Sequence, residues 1–158
     1  MKLRLNRSWM LALPVILFAA VIFSTKFVAT PALAGDAQHK VVIHVDSSDA
    51  KLQNMALNNV QNLNKYYKSK GESVQIELVA YGPGLHMLRS DTSKVKERVA
   101  TMALAMENLQ FSACGNTHAR MSKKAGKDVA LMSEATKVPS GVVRLIELQE
   151  KGWAYVRP

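Results

Sequence analysis

The chain has 158 residues, of which 48% are hydrophobic and 21% are charged. This balance is that of a folded globular protein and excludes a disordered or low-complexity chain. Lys and Arg outnumber Asp and Glu by 21 to 12, which gives a net charge of +9. The single cysteine excludes an internal disulfide and leaves a free thiol or an intermolecular bridge.

The first 34 residues have the three parts of a secretory signal peptide. A basic start precedes an apolar run over residues 9–23, and the small-residue site Ala32-Leu33-Ala34 follows. We expect cleavage after Ala34, which places the folded part in the periplasm. The alternative is an uncleaved membrane anchor, in which Lys26 snorkels and residues 27–33 extend the apolar run toward the ~20 residues of a full span. Contact with a membrane is expected only in that case.

Residues 35–39 are predicted to form a short flexible lead to a single folded domain over residues 40–158. Without the four basic residues of the leader, 17 basic and 12 acidic side chains remain, a net charge of +5. The lysines are scattered, aromatic residues do not alternate with them, and the sequence shows no nucleic-acid motif. We therefore expect no nucleic-acid partner.

The start of the domain predicts two strands separated by an amphipathic helix. The β-branched run over residues 40–46 indicates a buried strand. Apolar residues then recur every three or four positions, which predicts a helix capped by Ser47 or Ser48 and ended by Gly71. A second strand is predicted over residues 73–82.

The middle of the domain predicts a loop, a helix and a third strand. The loop covers residues 83–93, and Thr92 or Ser93 is expected to cap the helix that follows. That helix is predicted over residues 94–110 and the strand over residues 109–114, so the two predictions overlap at their junction.

The last part of the chain continues the same alternation. A short helix is predicted over residues 116–126 and a fourth strand over residues 127–135. A helix over residues 138–152, capped near Ser140, precedes a last strand over residues 153–158. Strands and helices that alternate in this way predict a largely parallel sheet with helices on both faces.

Polar and small residues lie where the predicted strands end. In parallel α/β sheets, functional groups collect at the carboxyl ends of the strands. The candidate binding residues at these ends are Asp46, Gly82, Gly84, His86, Gly115, Asn116 and Thr117, and the candidate catalytic residues are Cys114 and His118.

Cys114 lies where the third strand passes into a helix. Gly115 permits a tight turn, and Asn116 or Thr117 can start the helix. Unpaired N–H groups and the helix dipole stabilise an anion there, so the thiol pKa should be lowered. A persulfide, whose terminal sulfur is also anionic, would be held by the same donors. The alternative is a buried and inert cysteine.

His118 follows Cys114 by about one helical turn. It could protonate a leaving sulfur or pair with the thiolate, or it could simply face solvent. Cys114, His118 and His86 together could also form a thiol-dependent metal site, although Cys-x3-His alone is weak evidence for one.

The helix over residues 94–110 is apolar on more than one face. Such a helix is usually buried on several sides, and in a small domain a subunit interface can provide that burial. We therefore expect self-association. The apolar residues are Val99, Met102, Ala103, Leu104, Ala105, Met106 and Leu109.

Three segments carry a resemblance to a known family. "AYGPG" follows the second strand, "FSACGNT" the third, and "VPSGVVRLIELQEKGWAYVRP" ends the chain. These segments resemble the DsrE/DsrF-like family, in particular its small branch with an Ala-Cys-Gly-Asn-Thr motif. The resemblance implies a three-layer α/β/α domain with a five-stranded, mainly parallel sheet, and a homotrimer or homohexamer. It also implies sulfur relay, with Cys114 at the position of the motif cysteine.

The sequence therefore predicts a periplasmic, oligomeric persulfide carrier that needs no cofactor. Its partners would be a sulfur donor or acceptor protein, or a small sulfane-sulfur compound. Two alternatives remain: a non-catalytic oligomeric binding module with a structural cysteine, and the thiol-dependent metal-binding protein.

Overall fold

The computed structural model describes residues 37–158, so the predicted signal peptide lies outside the described residues. Within residues 37–158, no helix is both long and apolar enough to cross a membrane. The elements are β1 His39–Val45, α1 Ala50–Ser69, β2 Val74–Ala80, a 3₁₀ helix Gly82–Leu88, α2 Lys96–Ala105, β3 Leu109–Cys114, α3 Gly115–Ala125, β4 Ala135–Val138, α4 Gly141–Glu150 and β5 Ala154–Val156.

The five strands form one parallel sheet in the order β4-β3-β2-β1-β5. This confirms the predicted three-layer α/β/α architecture. The three crossovers from β1 to β4 run in one direction, and the last crossover returns across the sheet to β5. Because such crossovers are right-handed, the first three helices share one face and α4 lies on the other.

The core divides into two parts that follow this layering. The larger cluster joins Ile43, Leu78 and Phe111 of the sheet to the helices of the first face. The smaller cluster holds Val42 and Val79 together with Leu145 and Leu148 of α4. The alternating strand residues therefore point to opposite cores, and both faces of the central strands are buried.

An ion pair between the partly exposed Arg144 and the buried Glu77 fixes α4 to the sheet. Arg144 donates from Nε to Oε1 of Glu77 over 2.8 Å and from Nη2 to Oε2 over 2.7 Å. Ser112 also donates its hydroxyl to Glu77 over 2.6 Å. Hydrogen bonds to this buried carboxylate are the main cause of the raised pKa of Arg144. The bidentate geometry sets the position of α4 over β2 and β3.

The fourth strand was predicted in the wrong place. Residues 127–135 were expected to form it, but β4 is Ala135–Val138. The apolar stretch before β4 instead pairs with the chain after the 3₁₀ helix: Ser90 N–H donates to the Ala130 carbonyl over 3.0 Å, and Met132 N–H to the Leu88 carbonyl over 2.9 Å. A buried loop and a buried strand share the same apolar pattern, so periodicity could not separate them.

Several predicted boundaries and caps also differ. Asp49, rather than Ser47 or Ser48, caps α1 by accepting the Lys51 N–H. Residues 83–93, predicted as a loop, include most of the 3₁₀ helix. The helix predicted over residues 94–110 is shorter, since α2 ends at Ala105 because the backbone becomes extended at Met106.

Two large apolar residues of α2, Val99 and Met102, are buried within the single chain, as is Met106 directly after the helix. Val99, Met102 and Met106 belong to the larger core, whereas Leu104 is 90% exposed. The broad apolar pattern of this helix therefore reflects the core of the domain for most of its length. Among the apolar residues of α2, Leu104 and the small Ala105 are exposed and could be covered by a subunit contact.

Met102 and Leu104 should respond differently to truncation. Met102→Ala should lower the free energy of unfolding by about 2–5 kcal/mol, because it leaves a cavity in the core. Leu104→Ala should change it by no more than about 0.5 kcal/mol, because its side chain is in solvent. Urea denaturation of both variants measures the difference. Equal losses would contradict this placement of α2.

Candidate functional site

Cys114 ends β3 and is the N-cap residue of α3. Its backbone is extended, and its sulfur accepts the N–H of Thr117 over 3.4 Å. Sulfur thus takes the place that a Ser, Thr or Asp oxygen usually has at a helix start. Only 4% of the residue is exposed, so the thiol is both capped and buried.

A second helix N-terminus approaches the same sulfur. Gly141, the first residue of α4, provides a backbone N–H to Cys114. A Cβ on Gly141 would lie 2.8 Å from Cβ of Tyr81 and 3.1 Å from Cβ of Cys114. A Cβ on Gly115 would lie 2.9 Å from the Val138 carbonyl. Two glycines therefore allow the turns after β3 and β4 to pack together around the thiol.

Thr117 contributes a further donor through its hydroxyl. The oxygen accepts the N–H of Gly82 over 3.0 Å, which leaves the hydroxyl proton to donate to Cys114. The N–H of Asn116 also contributes to Cys114, although it is shared with the Pro139 carbonyl at 3.1 Å. The predicted donors Asn116 and Thr117 are thus at the thiol.

Burial and hydrogen bonding act on Cys114 in opposite directions. Burial alone raises the pKa of the thiol, but the Thr117 hydroxyl and the N–H groups of Gly141, Thr117 and Asn116 together outweigh it. The pKa of Cys114 is therefore below its ordinary value. The thiolate stabilises the fold above the pKa of the unfolded thiol, and this contribution is lost as pH falls through the lowered folded-state pKa.

His118 is a buried residue of α3, not the solvent-facing histidine of one alternative. Its imidazole is buried, with Nε2 2.7 Å from the Val129 carbonyl and 3.6 Å from a carboxylate oxygen of Asp128. The ring joins α3 to the loop before β4. Its Nε2 is directed to the carbonyl of that loop, and within residues 37–158 no hydrogen bond joins His118 to Cys114.

The Gly82-Pro83-Gly84 turn is not a free anion site. Gly82 N–H donates to Thr117, and Gly84 N–H donates to the Tyr81 carbonyl over 3.0 Å. A side chain at Gly84 would overlap the Val45 carbonyl, so this glycine lets the 3₁₀ helix cross close to the end of β1. The two glycines therefore act on the site through packing and through Thr117.

Asp46 belongs to a polar cluster at the ends of β1 and β5. It accepts from Arg157 over 2.7 Å and lies 3.9 Å from Nε2 of His44. His44 is buried, and Nδ1 is 2.7 Å from the Tyr155 hydroxyl, whereas Nε2 has no hydrogen-bond partner among the described residues. Burial lowers the pKa of His44, with Arg157 adding to this and Asp46 opposing it.

Tyr81 connects this polar cluster to the thiol. Its ring stacks on His44 with 4.6 Å between centroids, and its Cβ borders Gly141. Burial raises the pKa of Tyr81, and the charges of Asp46 and Cys114 add to the rise. Ionisation of this phenol is therefore disfavoured, and a second negative charge beside Cys114 is disfavoured with it.

His86 hydrogen-bonds to the segment that follows the 3₁₀ helix. Its Nδ1 is 2.9 Å from the Thr92 hydroxyl, and burial, with the nearby Arg89, lowers its pKa despite the opposing charge of Asp91. Within residues 37–158, no three His, Cys, Asp or Glu side chains come together as metal ligands. Cys114, His118 and His86 thus do not form the metal site that one alternative required.

Sequence reasoning missed Gly141 and Tyr81. The signal for Gly141 was present, since it starts a helix shortly after a strand: Pro139 and Ser140 separate it from β4, whereas Gly115 follows β3 directly. With the fourth strand predicted over residues 127–135, the end of that strand lies farther from Gly141, and the similarity to Gly115 is not apparent. Tyr81 lies within the second strand predicted over residues 73–82, and no pattern in the sequence links it to Cys114.

Removing the Thr117 hydroxyl should raise the thiol pKa. Thr117→Val keeps the side-chain shape but deletes a donor to Cys114, so the ultraviolet absorbance of the thiolate should appear at higher pH than in the wild type. Thr101→Val, the same change at an exposed position of α2, should leave the titration where it is. An unchanged midpoint in Thr117→Val would show that the backbone donors suffice.

No family model and no curated protein matches the chain. A solved structure of a protein of unknown function, MTH1491 from Methanobacterium thermoautotrophicum, is similar to it with 34% sequence identity and a TM-score of 0.62. The match covers 76% of this chain and 99% of that one. At this identity and coverage, the chain belongs to the same protein family as MTH1491.

Proposed function

We propose that this protein carries a sulfane sulfur atom on Cys114 as a persulfide, in the manner of the DsrE-like sulfur-relay proteins that its sequence resembles. The observation that supports this most directly is the convergence of two helix N-termini on one thiol, with a lowered thiol pKa as the result. Such a site favours an anionic sulfur over a neutral one.

The transfer chemistry needs no cofactor. The Cys114 thiolate attacks the outer sulfur of a donor, a new S–S bond forms, and the donor's own S–S bond breaks with its electron pair leaving on the donor thiolate. An acceptor thiolate later attacks the outer sulfur of the Cys114 persulfide and releases Cys114 in its original form. The donors of Thr117, Asn116 and Gly141 would hold the anionic sulfur at each stage.

The burial of Cys114 favours a second candidate function. A thiol with 4% exposure can serve a non-catalytic binding module, in which sulfur simply caps α3. The two functions differ in the access of reagents to the sulfur. Rapid reaction of the folded protein with iodoacetamide at pH 6 supports the carrier, and protection until unfolding supports the binding module.

We also propose that the protein works in the periplasm and assembles into a homotrimer or homohexamer. The first proposal is supported by the signal-peptide pattern of the sequence. The second is supported by exposed apolar side chains at the start of α4: Val142, Val143 and Ile146 are each about half exposed. Val142 and Ile146 are four residues apart and so share one face of the helix. Contact there would lie beside the thiol.

Sulfur loading tests the carrier function directly. Incubation with a sulfane donor should add the mass of one sulfur atom to the wild-type protein, and reductant should remove it. Cys114→Ser should gain nothing, because its hydroxyl cannot form the new S–S bond. Intact-protein mass spectrometry measures both. A wild-type protein that gains no sulfur from any donor would exclude the carrier function.

Association through α4 predicts a selective effect of one charge. Ile146→Glu should dissociate the assembly, because it would bury an unpaired carboxylate at the contact at a cost of several kcal/mol. Met55→Glu, a matched change at an exposed apolar position of α1, should leave the assembly intact. Sedimentation velocity distinguishes the species. A wild-type monomer, or two variants that behave alike, would contradict the proposed contact.

A further inference from the structure

A cleft of about 600 Å³ lies between the 3₁₀ helix and α3. Gly82 and Thr117 belong to its wall, and these are the residues whose mutual hydrogen bond orients the hydroxyl donor of Cys114. One end of the cleft is therefore a single residue away from the sulfur. The other lining residues include Pro83, His86, Arg89, Arg120, Met121 and Lys124.

The side chains of the cleft favour an anion. Arg120 and Lys124 are four residues apart on α3, both are exposed, and within residues 37–158 neither has an ion-pair or hydrogen-bond partner. Arg89 adds a third cation, although Asp91 pairs with it at 2.9 and 2.7 Å. No carboxylate is among the described residues that line the cleft.

The cleft also has an apolar wall. Pro83, Met121 and Ala125 line it beside the cations, and the Arg89 guanidinium lies 3.8 Å from the Met121 sulfur. Cavities of this volume hold organic ligands with tens of atoms. An inorganic anion such as thiosulfate would fill only a small part of the space and would gain nothing from the apolar wall.

We propose that this cleft binds the carrier portion of a small organic persulfide that bears carboxylate groups. The inference rests on the proposed function, because it names the donor for Cys114. The carboxylates would pair with Arg120 and Lys124, the aliphatic part would pack on Met121 and Pro83, and the sulfur would point to Thr117. Arg120 offers bidentate hydrogen bonds to a carboxylate, and Lys124 offers a point charge.

The transfer balances without a further reactant. The Cys114 thiolate attacks the outer sulfur of the donor R–S–SH, the Cys114 S–S bond forms, and the S–S bond of the donor breaks. Its electron pair leaves on the thiolate R–S⁻, and the proton stays on the transferred sulfur. No net oxidation occurs. The thiolate that leaves is part of a molecule whose carboxylates stay bound in the basic cleft. The new Cys114 persulfide lies among the hydrogen-bond donors at the helix N-termini.

Binding is tested first without sulfur chemistry. Glutathione, a thiol with two carboxylates, is titrated calorimetrically into Cys114→Ser protein. The combination Arg120→Gln with Lys124→Gln in that background should weaken binding by about tenfold or more, because each lost charge-assisted hydrogen bond is worth about that factor. The combination Lys123→Gln with Lys127→Gln removes the same net charge outside the cleft and should leave affinity within about twofold.

Transfer is tested next with glutathione persulfide and with thiosulfate as separate donors to Cys114. The Arg120 and Lys124 variant should load sulfur about tenfold more slowly from glutathione persulfide than the control variant does. Equal loading rates for the two variants, or faster loading of the wild type from thiosulfate than from glutathione persulfide, would overturn the cleft proposal. Either result would leave the carrier function standing. Glutathione binding that the cleft variant weakens, with no sulfur uptake by the wild type, would support the ligand site and exclude the carrier function.

Discussion

The close approach of two backbone turns governs the rest of the site. The turn after β3 and the turn after β4 pack so closely that neither Gly115 nor Gly141 has room for a Cβ. This contact brings the N–H groups of two helices to one sulfur, which a single helix start could not do. A side chain at either glycine would separate the turns, and Cys114 would keep its burial while losing donors. The thiol would then behave as a buried, neutral group.

Burial and hydrogen bonding are therefore two effects of the same packing. The contact between the turns removes Cys114 from water, which disfavours the thiolate, and it supplies the donors that more than compensate. Thr117 is the member of this set that depends on a third segment, since Gly82 holds its hydroxyl oxygen. The 3₁₀ helix thus affects the charge of the Cys114 sulfur through Thr117. Any ligand that displaces the contact between Gly82 and Thr117 would change the thiolate's stability as well as its accessibility.

The sequence predicted those features that depend on local chemistry. The third strand was predicted with the bounds it has, because an apolar run ends at a Gly-Asn-Thr helix start, and Gly126 ends α3 in the left-handed conformation. The location of β4 could not be predicted, because only contact with the 88–90 segment shows that the apolar residues before it form a loop. Because β4 was misplaced, the position of Gly141 beside the thiol was not predicted either. The role of His118 likewise depends on Val129, which lies across that loop.

The topology explains why the two helix starts can meet. α3 and α4 lie on opposite faces of the sheet. Because every strand is parallel, both helices begin at the carboxyl edge, and there the backbone of each passes over the end of Cys114. The ion pair of Arg144 and Glu77 lies one helical turn after Gly141 and fixes where α4 begins. Even a buried ion pair contributes little net stability against a well-packed apolar alternative. Its role here is to fix a position, because bidentate hydrogen bonds restrain both the rotation and the translation of α4. They thereby also restrain the Gly141 N–H that reaches the sulfur.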